Sequence, residues 1–316
     1  MDLVPLPTLL IEPIVRQALL EDLGRAGDIT TDAIASSDRV ARTAMAARQE
    51  GVVAGLDLAA LAFRLIDPAI RFKPLMADGA HVAPGGPIAA IEGPARGILS
   101  AERVALNFIS RLSGIASATA KLSAAVKHTC ARIVCTRKTT PLLRAIEKYA
   151  VRAGGGANHR FGLDDAALIK DNHVAIAGGV AEAIARVRAH VGHLVKIEVE
   201  VDTLAELKEA LKAGVDAVLL DNMSIAELRQ GVAMIDGRAV SEASGRVNLE
   251  TAPAIAETGV DLISVGWLTH SAPILDIGLD YDQKQPPQDL RQPERESRGS
   301  KRPISALKRW QNVRKR

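Results

Sequence analysis

The chain has 316 residues, of which 47% are hydrophobic, 24% charged and 3% aromatic, with a formal net charge of +3. This balance excludes a disordered chain, and no apolar run reaches the roughly 18 residues of a membrane span. Two cysteines, Cys130 and Cys135, are too few for a disulfide framework, so a reducing, cytoplasmic setting with small buried thiols is expected.

The opening stretch is apolar but interrupted by Pro5, Pro7, Glu12 and Pro13, and it carries no basic leader, so no targeting segment is expected. Residues 13–22 read as a helix ending near Gly24. Gly27 to Thr31 reads as a turn into a capped start, with Thr30, Thr31 and Asp32 as cap candidates. Strand-like pieces follow at 43–48, 51–54, 70–74 and 87–91, with a helix at 56–65 and turns at Gly85-Gly86 and Gly93-Pro94. Val104, Phe108, Leu112 and Ile115 keep a helical period within a long helix over 100–126.

From Ala131 onward, short apolar strands alternate with amphipathic helices. The strands are expected at 132–135, 167–169, 195–199, 217–220, 238–241 and 262–265, and the helices near 140–152, 178–191, 203–213, 224–235 and 249–258. This βα repeat predicts a parallel sheet, and its six units favour a barrel or open barrel over a flat sheet. The last segment, 284–316, carries eleven Lys or Arg against three Asp or Glu and is expected not to pack a core. The rest of the chain is therefore mildly acidic, whole-chain charge says little about nucleic acid, and no nucleic-acid partner is expected.

In a parallel βα barrel, functional residues sit at the C-terminal ends of the strands. Thr136, Arg137 and Lys138 follow the first strand, and Lys170, Asp171, Asn172 and His173 follow the second. The third ends in Glu198 and Glu200, the fourth in Asp221 and Asn222. The fifth leads to Glu242, Ser244 and Gly245, the sixth to Ser264, Val265 and Gly266. Arg137, Lys138, His159, Arg160 and Lys170, with Arg103, make a cationic set suited to a polyanionic ligand, since Arg pairs bidentately with carboxylate or phosphate. Glu200 and Asp221 in that basic surrounding point to sugar hydroxyls, a divalent cation or a developing positive charge. The small residues Ser244-Gly245 and Ser264-Val265-Gly266 let backbone N–H groups approach a phosphate. The set reads as a phosphorylated sugar beside a polyanionic small molecule, hence glycosyl transfer from a pyrophosphorylated ribose.

The run CTRKTTPLLRAIEKYAVRAGGGANHRFGLDDAALIKDNH (135–173) resembles the signature of quinolinate phosphoribosyltransferases. So do EDLGRAGDITT (21–31), ERVALNFISRLSGIAS (102–117), KIEVEVDTLAEL (196–207), LLDNM (219–223), EASGRVNLE (242–250) and GVDLISVGWLTHSAPILDIGLD (259–280). The resemblance implies an α/β fold of two parts. An N-terminal α/β sandwich over 1–113, rejoined by 276–283, packs on an open parallel β/α barrel of the type II phosphoribosyltransferase kind over 114–275. It implies conversion of quinolinate and phosphoribosyl pyrophosphate to nicotinate mononucleotide, pyrophosphate and carbon dioxide, with Mg²⁺ as cofactor. It also implies a homodimer with a shared active site, Arg103 being donated across the interface. Arg103, Arg137, His159, Arg160 and Lys170 would then hold quinolinate. Thr136, Lys138, Glu200, Asp221, Ser244, Gly245, Arg246, Ser264, Val265 and Gly266 would hold phosphoribosyl pyrophosphate. Lys138, Glu200 and Asp221 would be catalytic, the two carboxylates also holding Mg²⁺. The chain departs from the family pattern at Leu142, where Gly is common, at Arg246, where a small residue or Asn is common, and at Trp267, where Ala is usual.

Other readings stand beside these. A relative of the same fold from molybdenum uptake loci would act on another substrate, Lys170 could serve as a Schiff-base lysine, and the basic tail could bind nucleic acid. Asp171, Asn172 and His173 are expected to cap and support, Asp202 to cap the next helix, and Glu198 to point away from Glu200 or to play a supporting part. Gly154 to Gly156 is expected to be a flexible loop, and His81, His128, His190 and His193 surface residues.

Overall fold

The structure, a computed structural model, describes residues 3–281; the basic segment 284–316 lies outside the described residues. The first part runs α1 (Thr8–Leu23), α2 (Ile29–Ile34), β1 (Val40–Ala47), β2 (Gly51–Val52), α3 (Leu56–Ile66), β3 (Arg71–Pro74), β4 (His81–Val82), β5 (Pro87–Pro94) and the long α4 (Ala95–Val126). Two of these differ from the sequence reading. The first helix starts at Thr8 and carries Pro13 inside it. The second is capped by Asp28, whose side chain accepts from the Thr31 N–H at 2.9 Å, and not by Thr30, Thr31 or Asp32. An aspartate one residue before the helix reaches the orphan amides better than a residue already inside it.

The second part alternates β6 (Arg132–Val134), α5 (Arg144–Ala153), β7 (Ala167–Ile169), α6 (Asp171–Ala177), α7 (Val180–His190), β8 (Ile197–Val201), α8 (Leu204–Ala213), β9 (Ala217–Asp221), α9 (Ile225–Ile235), β10 (Val240–Ser244), α10 (Ala252–Ala256), β11 (Leu262–Ser264) and α11 (Trp267–His270); β12 (Ile277–Tyr281) follows. The strand expected at 238–241 lies instead at Val240–Ser244, so Glu242 and Ser244 belong to the strand itself. Thr203, not Asp202, caps α8, forming a reciprocal box with Glu206. Cys135 is buried as expected, whereas Cys130 is exposed.

Two sheets organise the chain. Strands β12-β1-β5-β3 form an antiparallel sheet, in which β12 returns to pair with β1. The six parallel strands lie in the order β6-β11-β10-β9-β8-β7. This is chain order wrapped round, with the last strand beside the first, so the sheet curls into a barrel that stays open between β6 and β7. Among the described residues, only an isolated bridge from Val134 to Ala157 sits in that seam. The bridge brings the next residues, Asn158, His159 and Arg160, to the opening.

Helix α4 backs both sheets, and its buried positions repeat with helical period from Ile98 through Leu112 and Ile115 to Leu122. Gly114 faces the chain on its way to β12: a Cβ there would lie 2.1 Å from the Pro273 carbonyl oxygen. Backbone cannot yield as a side-chain tip can. We expect Gly114→Ala to destabilise the protein by about 1–3 kcal/mol or more in urea unfolding, against no change for an alanine at an open glycine such as Gly192.

Candidate active site

Three cavities bear on the choice of site. Two are of about 340 Å³ each; one is lined mainly by apolar side chains, and in the other the cation, Arg111, is already paired with Glu147. A third, of about 260 Å³, opens at the C-terminal ends of the barrel strands and gathers Thr136, Arg137, Lys138, His159, Arg160, Lys170, Glu200, Asp221, Glu242, Ser244 and Ser264 around Leu168 and Leu219. Charge, not volume, identifies the third as the site. Ten of the expected residues line it, drawn from all six strand ends and the seam.

Strand alternation explains the convergence. On β8, Ile197, Val199 and Val201 are buried against helices, which leaves Glu198 and Glu200 together on the inner face. The expectation that Glu198 points away from Glu200 is therefore corrected: residues two apart on a strand share a side. Glu242 pairs in register with Leu219, and Ser244 with Asp221, so Glu242 lies one layer below the rim. Glu242 was missed as a site residue because the strand was expected to end before it. Its signal was the two-residue spacing to Ser244.

The cationic wall is held from behind. Glu147, fully buried, accepts from Arg111 at 2.9 Å, from the Thr140 hydroxyl at 2.8 Å and from the Thr140 N–H at 3.0 Å. Arg111 also donates to the carbonyls of Thr269 at 2.6 Å and Ala272 at 3.1 Å. This network ties α4, α5 and α11 to the loop that carries Arg137 and Lys138. Lys148, also fully buried, donates to the His159 carbonyl at 2.8 Å and to Cys135 Sγ at 3.1 Å, fixing the seam. Among the described residues, the buried Nε atoms of Arg137 and Arg160 have no hydrogen-bond partner. Burial and then the neighbouring Arg137 push the Arg160 guanidinium below its usual value. Two guanidiniums this close gain from an anion between them.

His159 and two carboxylates meet beneath that wall. The ring Nε2 lies 3.0 Å from Glu198 Oε2 and 3.7 Å from Glu242 Oε1. Burial disfavours the charged ring, but the Glu198 hydrogen bond and the charges of both carboxylates outweigh it and raise the His159 pKa. Its Nδ1, however, accepts from the Arg160 N–H at 2.7 Å, which requires the neutral Nε2–H ring. The two pulls conflict. The main-chain contact decides for the neutral ring, because the seam backbone is held by its bridge to Val134.

Lys170 and Glu200 were expected to serve different ligands, yet they form an ion pair at 3.0 Å across the rim. His173 Nδ1 accepts from the Lys170 N–H at 2.9 Å, a local capping contact. On the opposite side, Ser244 and Ser264 reach the cavity but Gly245, Arg246, Val265 and Gly266 do not line it. Val265 is a correction: its side chain is in the core, and its N–H is spent on the Val134 carbonyl at 2.9 Å. Gly266 packs beside Lys138, since a Cβ there would meet Lys138 Cδ at 2.9 Å. Arg103 is exposed on α4 and stands outside the cavity of its own chain. Two of the three departures sit in left-handed backbone, Leu142 at φ +67° and Arg246 at φ +49°. That region explains why Gly or Asn suits those positions. The third, Trp267, donates its indole N–H to the Val247 carbonyl at 2.9 Å.

A family model for the N-terminal domain of quinolinate phosphoribosyl transferase matches residues 28–113, and one for the C-terminal domain matches residues 115–280. The chain belongs to the quinolinate phosphoribosyltransferase family. Curated relatives in this family include a nicotinate-nucleotide pyrophosphorylase [carboxylating] of Mycobacterium leprae. It is 46% identical, the alignment covering 84% of this chain and 95% of the relative. A probable enzyme of the same name from Bacillus subtilis is 42% identical over 85% of this chain and 93% of its own. Among solved structures, NadC from Streptococcus pyogenes superposes with a TM-score of 0.85 at 42% identity, covering 88% of this chain and 99% of that one. The α/β fold, with its parallel barrel sheet and separate antiparallel sheet, is that of the family.

Proposed function

We propose that this chain transfers a phosphoribosyl group from phosphoribosyl pyrophosphate to quinolinate, with loss of one carboxylate as carbon dioxide, giving nicotinate mononucleotide and pyrophosphate for NAD synthesis. The observation that carries this is one cavity in which Arg137, Arg160, Lys138 and Lys170 face Glu200 and Asp221. A dicarboxylate explains the number of converging cations. A monocarboxylate would leave buried guanidinium N–H groups unpaired, at about 1–3 kcal/mol for each. The carboxylates are suited to orient ribose hydroxyls and to favour positive charge developing at the anomeric carbon as pyrophosphate leaves.

Glu200 and Asp221 would hold Mg²⁺. A pair of carboxylates completed by substrate phosphates is the usual protein share of such a site, and Asp221 carries no cationic partner among the described residues. The ion would neutralise pyrophosphate charge. Arg103, exposed and outside its own cavity, fits donation to a second copy in a homodimer. No helix among the described residues is long and apolar enough to cross a membrane, and a cytoplasmic setting is proposed.

The test is direct. Purified protein with Mg²⁺ and phosphoribosyl pyrophosphate is given quinolinate or nicotinic acid, and mononucleotide formation is followed. Turnover of quinolinate alone is expected. A folded protein that converts neither acid would overturn the reading, and turnover of nicotinic acid at a similar rate would remove the dicarboxylate argument.

A further inference from the structure

Decarboxylation leaves a ring carbon that must gain a proton, and the rim offers poor donors. Arginine does not give up its proton at neutral pH, Lys170 is paired with Glu200, and Lys138 lies against Gly266 on the phosphoribosyl side of the proposed site. The floor of the cavity differs. Glu242 lines it, is 2% exposed, and its Oε1 has no hydrogen-bond partner. That oxygen, Glu198 Oε2 and His159 Nε2 fall within 4.8 Å of one another. Two carboxylates so close, in a largely buried site, cannot both ionise beside a neutral ring without strong repulsion. The His159 ring is neutral, since its Nδ1 accepts a main-chain N–H, and its Nε2–H is given to Glu198. The remaining proton therefore falls to Glu242, the more buried carboxyl.

Resting on the quinolinate reading above, we propose that the Glu242 carboxylic acid is the proton donor to the ring carbon vacated by carbon dioxide. The bond from ring carbon to carboxylate carbon breaks, and its electron pair stays on the ring carbon beside the cationic ring nitrogen. The Glu242 proton then forms the new C–H bond with that pair. Glu242 becomes a carboxylate facing His159 Nε2, and water returns its proton after product leaves.

Supporting this, burial and then the Glu198 charge raise the Glu242 pKa to about 7 even against a charged His159 and the Ser264 hydroxyl, and a neutral ring removes the first of those opposing pulls. The charged groups facing this floor are Glu198 from β8 and His159 from the seam, with Arg137, Lys138, Arg160, Lys170, Glu200 and Asp221 elsewhere on the cavity lining. The acid form must be present, so the step weakens as pH rises through the raised Glu242 pKa.

The test separates the two chemical steps in single turnover with quinolinate, phosphoribosyl pyrophosphate and Mg²⁺, using the full chain. In Glu242→Gln, pyrophosphate release is expected within about threefold of the parent, while nicotinate mononucleotide forms on the order of 100-fold more slowly or worse. In Glu198→Gln, removing a neighbouring negative charge lowers the proton affinity of Glu242. The alkaline fall of mononucleotide formation then moves to lower pH. In Glu242→Gln that pH dependence disappears. Parental mononucleotide formation in Glu242→Gln overturns the proposal. So does equal slowing of both steps in a variant with parental thermal unfolding. So does a stoichiometric transition metal retained by the parent and lost in Glu242→Gln, because the three atoms would then be metal ligands. Absence of pyrophosphate release in the parent would instead defeat the quinolinate reading, leaving the two failures distinguishable.

Discussion

Replacing Glu147 by alanine is expected to destabilise the protein by roughly 3–5 kcal/mol, the range for removing one partner of a buried ion pair. In a chain of this size that lowers the unfolding midpoint by on the order of 10 °C. The size follows from what the carboxylate holds. It is 0% exposed and satisfies the Arg111 guanidinium and both donors of Thr140, so its loss leaves a half-buried guanidinium without its carboxylate and frees the loop of Arg137 and Lys138. Glu147→Gln keeps an acceptor but not the charge and should fall between parent and alanine. Urea unfolding, with quinolinate turnover below the midpoint, checks both. An alanine variant as stable as the parent would show that the network carries no net stability.

Replacing Arg137 by alanine is expected to act on turnover and not on folding. Arg137 lines the cavity, and its Nε makes no hydrogen bond within the described residues, so none is lost at that atom. Truncating one partner of a buried charge pair typically costs 2–5 kcal/mol. At about 1.36 kcal/mol per tenfold, kcat/KM for quinolinate should fall roughly 30- to 5000-fold. Arg137→Lys should recover only part, because an ammonium cannot reproduce the planar fork. Steady-state kinetics beside a thermal unfolding curve makes the check. Turnover within a few-fold of the parent would remove Arg137 from the anion clamp.

The two effects separate roles that the sequence shows as one run. TRKTT and RAIEKY sit within thirteen residues of each other, and composition does not tell which cations face the ligand. Arg137 and Lys138 do; Lys148, eleven residues after Arg137, is sealed behind the seam against Cys135 and the His159 carbonyl. Arg111 on α4 likewise anchors Glu147 and two carbonyls, a role that its place in the sequence does not show. A buried charge and an exposed one carry the same letter, and only three-dimensional partners distinguish them.

Chain-local physics was enough for much of the rest. The alternation of aliphatic strands with amphipathic helices determined the parallel sheet, because each short apolar run needs helices on its faces. Strand polarity then placed Thr136, Lys170, Glu200 and Asp221 at one end. The tertiary structure alone decided three further matters. It opened the barrel between β6 and β7, where a single bridge at Ala157 delivers His159 and Arg160. It shifted the fifth strand so that Glu242 drops to the cavity floor beside Glu198. It turned the Val265 amide into a sheet bond and left Gly245, Arg246 and Gly266 off the lining. The physical reason is common to all three. Sequence periodicity reports which face a residue takes along its own strand, whereas register between strands and closure of the ring depend on hydrogen bonds between segments far apart in the chain.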